Sequence, residues 1–244
     1  MYLKKRAVRV VCAAMAAMML LSGCGTGGST SGDASWDSQA AENTGGGVQD
    51  RTSVNKRKLS DQTTYDPYKT ADQNEWEDMY GIYDQLFREE ADGSVVPNLV
   101  TEYSFSDDGT ELTMGIRDDV TFHNGEPLTV DDVVFSLNTA IASSFTTKFT
   151  SVMDHAEKVD DSTVKLVLKH AYSPILGCLV SASTSIVPQA VYEADPDSFT
   201  ASPIGSGPYM VSEIVKGERY VYEAYPDYWR GEAPIKTVVA RVIP

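Results

Sequence analysis

The sequence predicts an α/β fold on three observations: an aromatic stripe with helical spacing, a second amphipathic segment with its own start signal, and a succession of hairpins with alternating apolar residues. The stripe is Trp76, Met79, Tyr80, Tyr83, Leu86 and Phe87, which predicts a helix over Glu75 to Arg88. Thr129 opens the second helix, with Asp132 placed to complete a capping box and an acidic first turn that suits the helix dipole. Val133, Val134, Leu137 and Ile141 supply its buried face. The hairpins turn at Asp108-Gly109, Asp160-Asp161 and Lys216-Gly217. Leu112, Met114 and Ile116 share one face of the first, and Val164, Leu166 and Leu168 share one face of the second.

The rest of the chain fits between these elements. Asp92-Gly93 is a turn, and Val120 to His123 runs as a strand into the tight turn Asn124-Gly125. Ser173 to Val180 reads as a short helix, and Ile186-Val187-Pro188 leads into another that ends near Ala194. Asp195-Pro196-Asp197 and Ser202-Pro203 mark the end of one unit. Pro203-Ile-Gly-Ser-Gly-Pro-Tyr209 then forms a shaped crossing, because its glycines permit close backbone approach and Pro208 fixes one φ. Tyr209, Val211 and, after a slip at Glu213, Ile214 lead to the last hairpin, and Tyr220 to Tyr225 return as an aromatic, β-branched strand.

Composition places the chain outside the cytoplasm. Lys4, Lys5, Arg6 and Arg9 precede an apolar run from Val10 to Leu21 that is too short to span a bilayer, so residues 1–23 read as a secretory signal. Leu21-Ser-Gly-Cys24 resembles a bacterial lipobox, which implies a lipidated Cys24 and an anchor on the extracytoplasmic face of the cell membrane. Residues 24–50 are Gly- and Ser-rich with almost nothing to bury, a flexible tether in which Trp36 is a stray exposed aromatic. Of three cysteines, Cys12 leaves with the signal, Cys24 takes lipid and Cys178 remains as a small buried hydrophobe, so no intrachain disulfide forms. The net charge of −15 serves solubility and excludes a phosphate backbone as partner.

The residues carry no catalytic pattern. Gly205-Ser206-Gly207 lacks the flanks of a nucleophile elbow, no Ser-His pair has an orienting third partner, and no phosphate-cradling Gly-Lys-Ser/Thr motif occurs. The aspartates sit in turns and helix starts, where they serve backbone amides. His123 ends a strand beside Asn-Gly and reads as a hydrogen-bonded turn residue. His155 and His170 have no metal-ligand spacing to it or to Cys178. The expectation is a protein that is not an enzyme and needs neither metal nor cofactor.

Two blocks carry a resemblance. Pro203 to Tyr209, followed by a hairpin, Tyr225-Pro-Asp-Tyr-Trp-Arg-Gly231 and Arg241-Val-Ile-Pro244, resembles the returning segment of peptide-, dipeptide- and nickel-type solute-binding proteins of ABC transporters, family five. Asp108 to Leu137 resembles an earlier block of the same family in the right order, and Val95 to Val100 and the Asp66-Pro67 turn match further pieces. The resemblance covers about Thr52 to Pro244. It implies a periplasmic-binding-protein-like fold (type II, cluster C) with a discontinuous lobe I, residues 51–81 and 201–244, and a smaller inserted α+β lobe, residues 82–200.

It also implies that Thr52 to Lys56 is the first strand of lobe I, although Thr-Ser-Val-Asn-Lys is poor in apolar residues for that place. The loop Ala71, Asp72, Gln73 and Asn74 would face a ligand and pair with its amides, with Trp76 as a stacking candidate and core residue at once. Phe145 and Phe149 fall where relatives line the cleft, and Ser206 and Gly207 belong to the crossing. The implied protein is a lipid-anchored monomer that captures a peptide or other small solute and delivers it to permease subunits of an ABC importer. Family members are about twice this length, so the chain is expected to be half of a clamp. The competing expectation is a split or truncated family member that acts as a surface interaction module without transport.

Overall fold

A computed structural model describes residues 52–243; the signal, Cys24, the tether and Trp36 lie outside the described residues. In chain order the elements are β1 (Ser53–Lys58), α1 (Gln73–Ile82), β2 (Phe87–Glu89), β3 (Val95–Pro97), β4 (Val100–Phe105) and β5 (Glu111–Ile116). Then follow α2 (Val130–Ala142), α3 (Thr147–Thr150), β6 (Met153–Asp160), β7 (Thr163–Leu168), α4 (Ile175–Cys178), α5 (Gln189–Ala194), β8 (Tyr209–Val215), β9 (Arg219–Ala224) and β10 (Thr237–Val242).

The strands make a four-stranded sheet β1-β10-β9-β8, the pair β2-β3, and a four-stranded sheet β4-β5-β7-β6. The first joins the two ends of the described chain: β1 runs parallel to β10, with Ser53 opposite Thr237 and Lys58 opposite Val242. All other pairings in the two large sheets are antiparallel. The slip expected at Glu213 is a bulge between Val211 and Glu213, and Gly217 closes that hairpin at φ 77°.

The sheet built from β4 to β7 is dry on one face. Leu112, Met114, Ile116, Val164, Leu166 and Leu168 are all buried and meet Val133 and Leu137 of α2 in one cluster. Alternation every second residue puts each strand's apolar set on the side that α2 covers. The capping box forms as the sequence demands: the Asp132 backbone N–H donates to Thr129 Oγ1 (3.3 Å), and the Thr129 N–H donates to the Asp132 carboxylate (2.8 Å). Asp132 also accepts from the Gln189 backbone N–H at 2.8 Å, so one carboxylate starts α2 and ties it to the head of α5.

The other sheet buries polar groups. Lys56 and Lys58 share a face of β1, and both reach Asp78 of α1, at 2.5 and 2.6 Å. Lys58 and Asp78 are buried, and the Lys58 ammonium also donates to Gln62 Oε1 and the Asn74 carbonyl. The apolar poverty of β1 thus has a cause: its inward positions are filled by lysines that share the Asp78 carboxylate of α1. Tyr220 and Tyr222 of β9 line the same face, and their hydroxyls meet Asp61 and Tyr65 at 2.9 Å each.

Four expectations need correction. The aromatic helix stops at Ile82, and Tyr83 is extended (φ −117°, ψ 141°), although Leu86 and Phe87 are fully buried beyond it. The Gly205–Gly207 crossing forces the stop, since the Gly207 N–H takes the Ile82 carbonyl at 2.9 Å. A Cβ at Gly205 would lie 2.1 Å from the Ile82 oxygen and one at Gly207 2.6 Å from the Ile82 carbonyl carbon, so only glycine fits. Val120 to His123 forms no strand beyond one bridge, Thr121 to Pro127, while the Asn124-Gly125 turn forms with Gly125 at φ 83°. The short helix over 173–180 shrinks to α4, and Cys178 is half-buried, its thiol pushed up by that burial.

Candidate functional site

The binding residues expected from the sequence fall into three places. Gln73, Trp76 and Phe149 come together in a recess of about 190 Å³, completed by Tyr80, Glu89, Val95, Gly177, Val180 and Ser181. Its wall is built where the start of α1, the β2-β3 pair, α3 and the segment after α4 meet. Trp76 and Phe149 touch edge to face, with ring centroids 5.7 Å apart. Trp76 is 5% exposed, and its indole N–H has no acceptor among the described residues. The Tyr80 hydroxyl, by contrast, accepts the Ala182 backbone N–H at 3.3 Å.

The other candidates lie elsewhere. Asp72 caps α1, its carboxylate accepting the Asn74 N–H at 2.8 Å, and Ala71 beside it is exposed. Phe145 is 52% exposed and lines no recess with Trp76. Ser206 and Gly207 are buried and structural in placement: Ser206 donates to Asp84 at 3.2 Å, and Gly207 packs on Ile82. The crossing is held by the end of α1 on Gly205 and Gly207 and by His123 on the same two residues.

Asp84 is the residue that sequence reasoning missed. Its carboxylate is buried and accepts from Trp229 Nε1 (3.0 Å), Asn98 Nδ2 (3.0 Å), Ser206 Oγ (3.2 Å) and the Tyr228 hydroxyl (3.3 Å). Burial pushes its carboxyl up, opposed by those donors, Trp229 first. Both blocks of the returning segment, Gly-Ser-Gly and Tyr-Trp, thus converge on one anion near the exit of α1. The Arg117 guanidinium stacks on the Trp229 ring, 3.6 Å from its centroid, and closes the outside. A carboxylate inside the aromatic stripe, between Tyr83 and Leu86, was the available signal.

His123 makes the second clamp on the crossing. Its Nδ1 accepts the Gly205 N–H (3.2 Å), its Nε2 lies 2.9 Å from the Gly207 carbonyl, and its own backbone N–H donates to the Gly205 carbonyl (2.8 Å). That pattern requires the neutral ring with the proton on Nε2. Burial lowers its pKa to about 4, against the smaller opposing effect of the Gly207 carbonyl. Among the described residues no group of three or more His, Cys, Asp or Glu side chains could hold a metal ion, and no helix is long and apolar enough to cross a membrane.

Residues 94–244 match the family described as bacterial extracellular solute-binding proteins, family 5 Middle. The chain belongs to family 5. Protein XP55 of Streptomyces lividans is 31% identical over 66% of this chain and 30% of its own length. The probable D,D-dipeptide-binding periplasmic protein DdpA of Escherichia coli K12 is 29% identical over 76% of this chain and 38% of its own. Among solved structures, the oligopeptide-binding protein AppA of Bacillus subtilis, in complex with a nonapeptide, superposes with a TM-score of 0.71 at 24% identity, covering 80% of this chain and 41% of that one. This family 5 chain therefore has a periplasmic-binding-protein fold, and it spans about a third of the length of the curated relatives it matches.

Proposed function

We propose that the chain is the solute-recognising part of an extracytoplasmic receptor that feeds an ABC importer, and that the solute is a short peptide or a molecule of similar size. The observation that carries this reading is the recess of Gln73, Trp76 and Phe149: residues from distant parts of the chain converge on an aromatic wall with polar groups beside it. The reading is supported by family membership and by relatives whose names are those of binding proteins, such as DdpA. The arrangement suits capture, since Trp76, Phe149, Tyr80 and Val180 offer contact area and the Ser181 hydroxyl is bonded to Ser183 and to no base. Closure of a further lobe over the recess would exclude water and strengthen each hydrogen bond to the solute. Lobe I comprises residues 51–81 and 201–244 in this reading, the inserted lobe residues 82–200, and a lipid on Cys24 holds the protein at the membrane beside its permease.

Thermal unfolding of the full chain with di- to pentapeptides, a nickel chelate and an oligosaccharide tests the solute. A midpoint that rises with one class, and rises less in Phe149→Ala, supports the reading. No shift with any class would oppose it. Incorporation of labelled palmitate, lost in Cys24→Ala, tests the anchor.

A further inference from the structure

The recess has an electrostatic sign. Its lining residues include one charged side chain, the carboxylate of Glu89 on β2, which is exposed on the rim. Neighbouring Arg88 is engaged by Glu90. Lys148 lies over the Phe149 ring, 5.3 Å from its centroid, and is not among the lining residues. The chain as a whole carries −15, so the surrounding field also draws cations. Inside the rim, Trp76, Tyr80, Phe149, Val95 and Val180 form apolar walls that suit the methylene stem of a long side chain, with its charged tip left at the mouth.

Resting on the reading above, we propose that the recess selects a basic side chain: a lysine- or arginine-type stem between Trp76, Tyr80 and Phe149, with its cation at Glu89. Glu89 is then the specificity-determining residue and Trp76 a contact residue.

The test is calorimetric titration of the full chain with Ala-Lys-Ala, Ala-Leu-Ala and Ala-Glu-Ala at low ionic strength. The lysine peptide binds about three- to fivefold tighter than the leucine one, the range of a partly exposed ion pair, and the glutamate peptide binds weakest. Glu89→Gln equalises the three. Trp76→Phe keeps the aromatic wall and leaves the order of the three unchanged. Equal binding of all three peptides by the unmodified chain overturns the selectivity and leaves the receptor reading standing. An unchanged order in Glu89→Gln moves the selectivity away from this recess. Failure of all three to bind overturns the selectivity, and the receptor reading then stands or falls with the wider thermal panel above.

Discussion

The two four-stranded sheets are held by different physics. The β4-β5-β7-β6 sheet is closed by a dry face of Leu112, Met114, Val164 and Leu166 against α2. The β1-β10-β9-β8 sheet is closed by α1 across lysines and tyrosines, with Asp78 accepting from two ammonium groups and Tyr65 meeting Tyr222 hydroxyl to hydroxyl. A dry face tolerates shape changes in proportion to volume lost, whereas a buried ion pair fails when either partner goes. The wet sheet is also the one that carries the helix of Trp76, so the recess rests on the more partner-dependent half.

The sharpest way to break the comparison is to remove Asp78. Asp78→Ala leaves Lys58 charged and buried, and we expect a loss of about 3–5 kcal/mol in urea unfolding. Replacing both partners, as Lys58→Met with Asp78→Leu, recovers most of it, which separates the cost of an orphaned charge from the worth of the pair. The dry counterpart, Leu166→Ala, costs about 2–5 kcal/mol through its cavity and has no charge partner whose removal could rescue it. A D78A loss well below that of L166A would dissolve the distinction.

A second effect is read in acid. The unfolded chain protonates His123 near 6.5, the folded chain only near 4, so the folded state is favoured fully above 6.5 and loses stability as pH falls between those values. The loss approaches about 3 kcal/mol at pH 4. Asp84 works in the opposite direction, since its raised carboxyl is protonated more readily in the folded chain. The His123 contribution is therefore isolated by comparing urea midpoints of the native chain and His123→Gln from pH 7 to pH 4. The native chain declines more steeply. Identical slopes would mean that the ring is not the buried neutral clamp described.

The smallest effect tests the dry half at its edge. Thr129→Ala removes the side chain that starts α2 and costs about 1 kcal/mol, measured as a shifted urea midpoint at constant slope. No residue that lines the proposed recess lies on α2, so peptide affinity is expected to be unchanged.

Legibility followed the same division. The capped start of α2, the hairpin turns at Asp108-Gly109 and Lys216-Gly217, and the bulge before Glu213 are local events, and each was readable from a few adjacent residues. The helix over 75–88 misled because Leu86 and Phe87 continue a helical spacing while packing from other backbone shapes. Spacing reports which residues are buried; it does not report where a crossing chain interrupts the helix. The recess was half legible: Gln73, Trp76 and Phe149 could be named, but Glu89 and Ser181 could not, because nothing local sets a rim.

What the sequence alone determined is the alternation and punctuation that choose helix or hairpin, because those preferences act within a few residues of one another. What tertiary structure decided is the company each polar group keeps. Asp84 receives donors from residues 14 to 145 positions away, and Lys58 finds Asp78 20 positions on. A buried charge has no intrinsic partner along the chain; its partner is whichever group the packed backbones bring within about 3 Å, and that is settled only when the two ends close into one sheet.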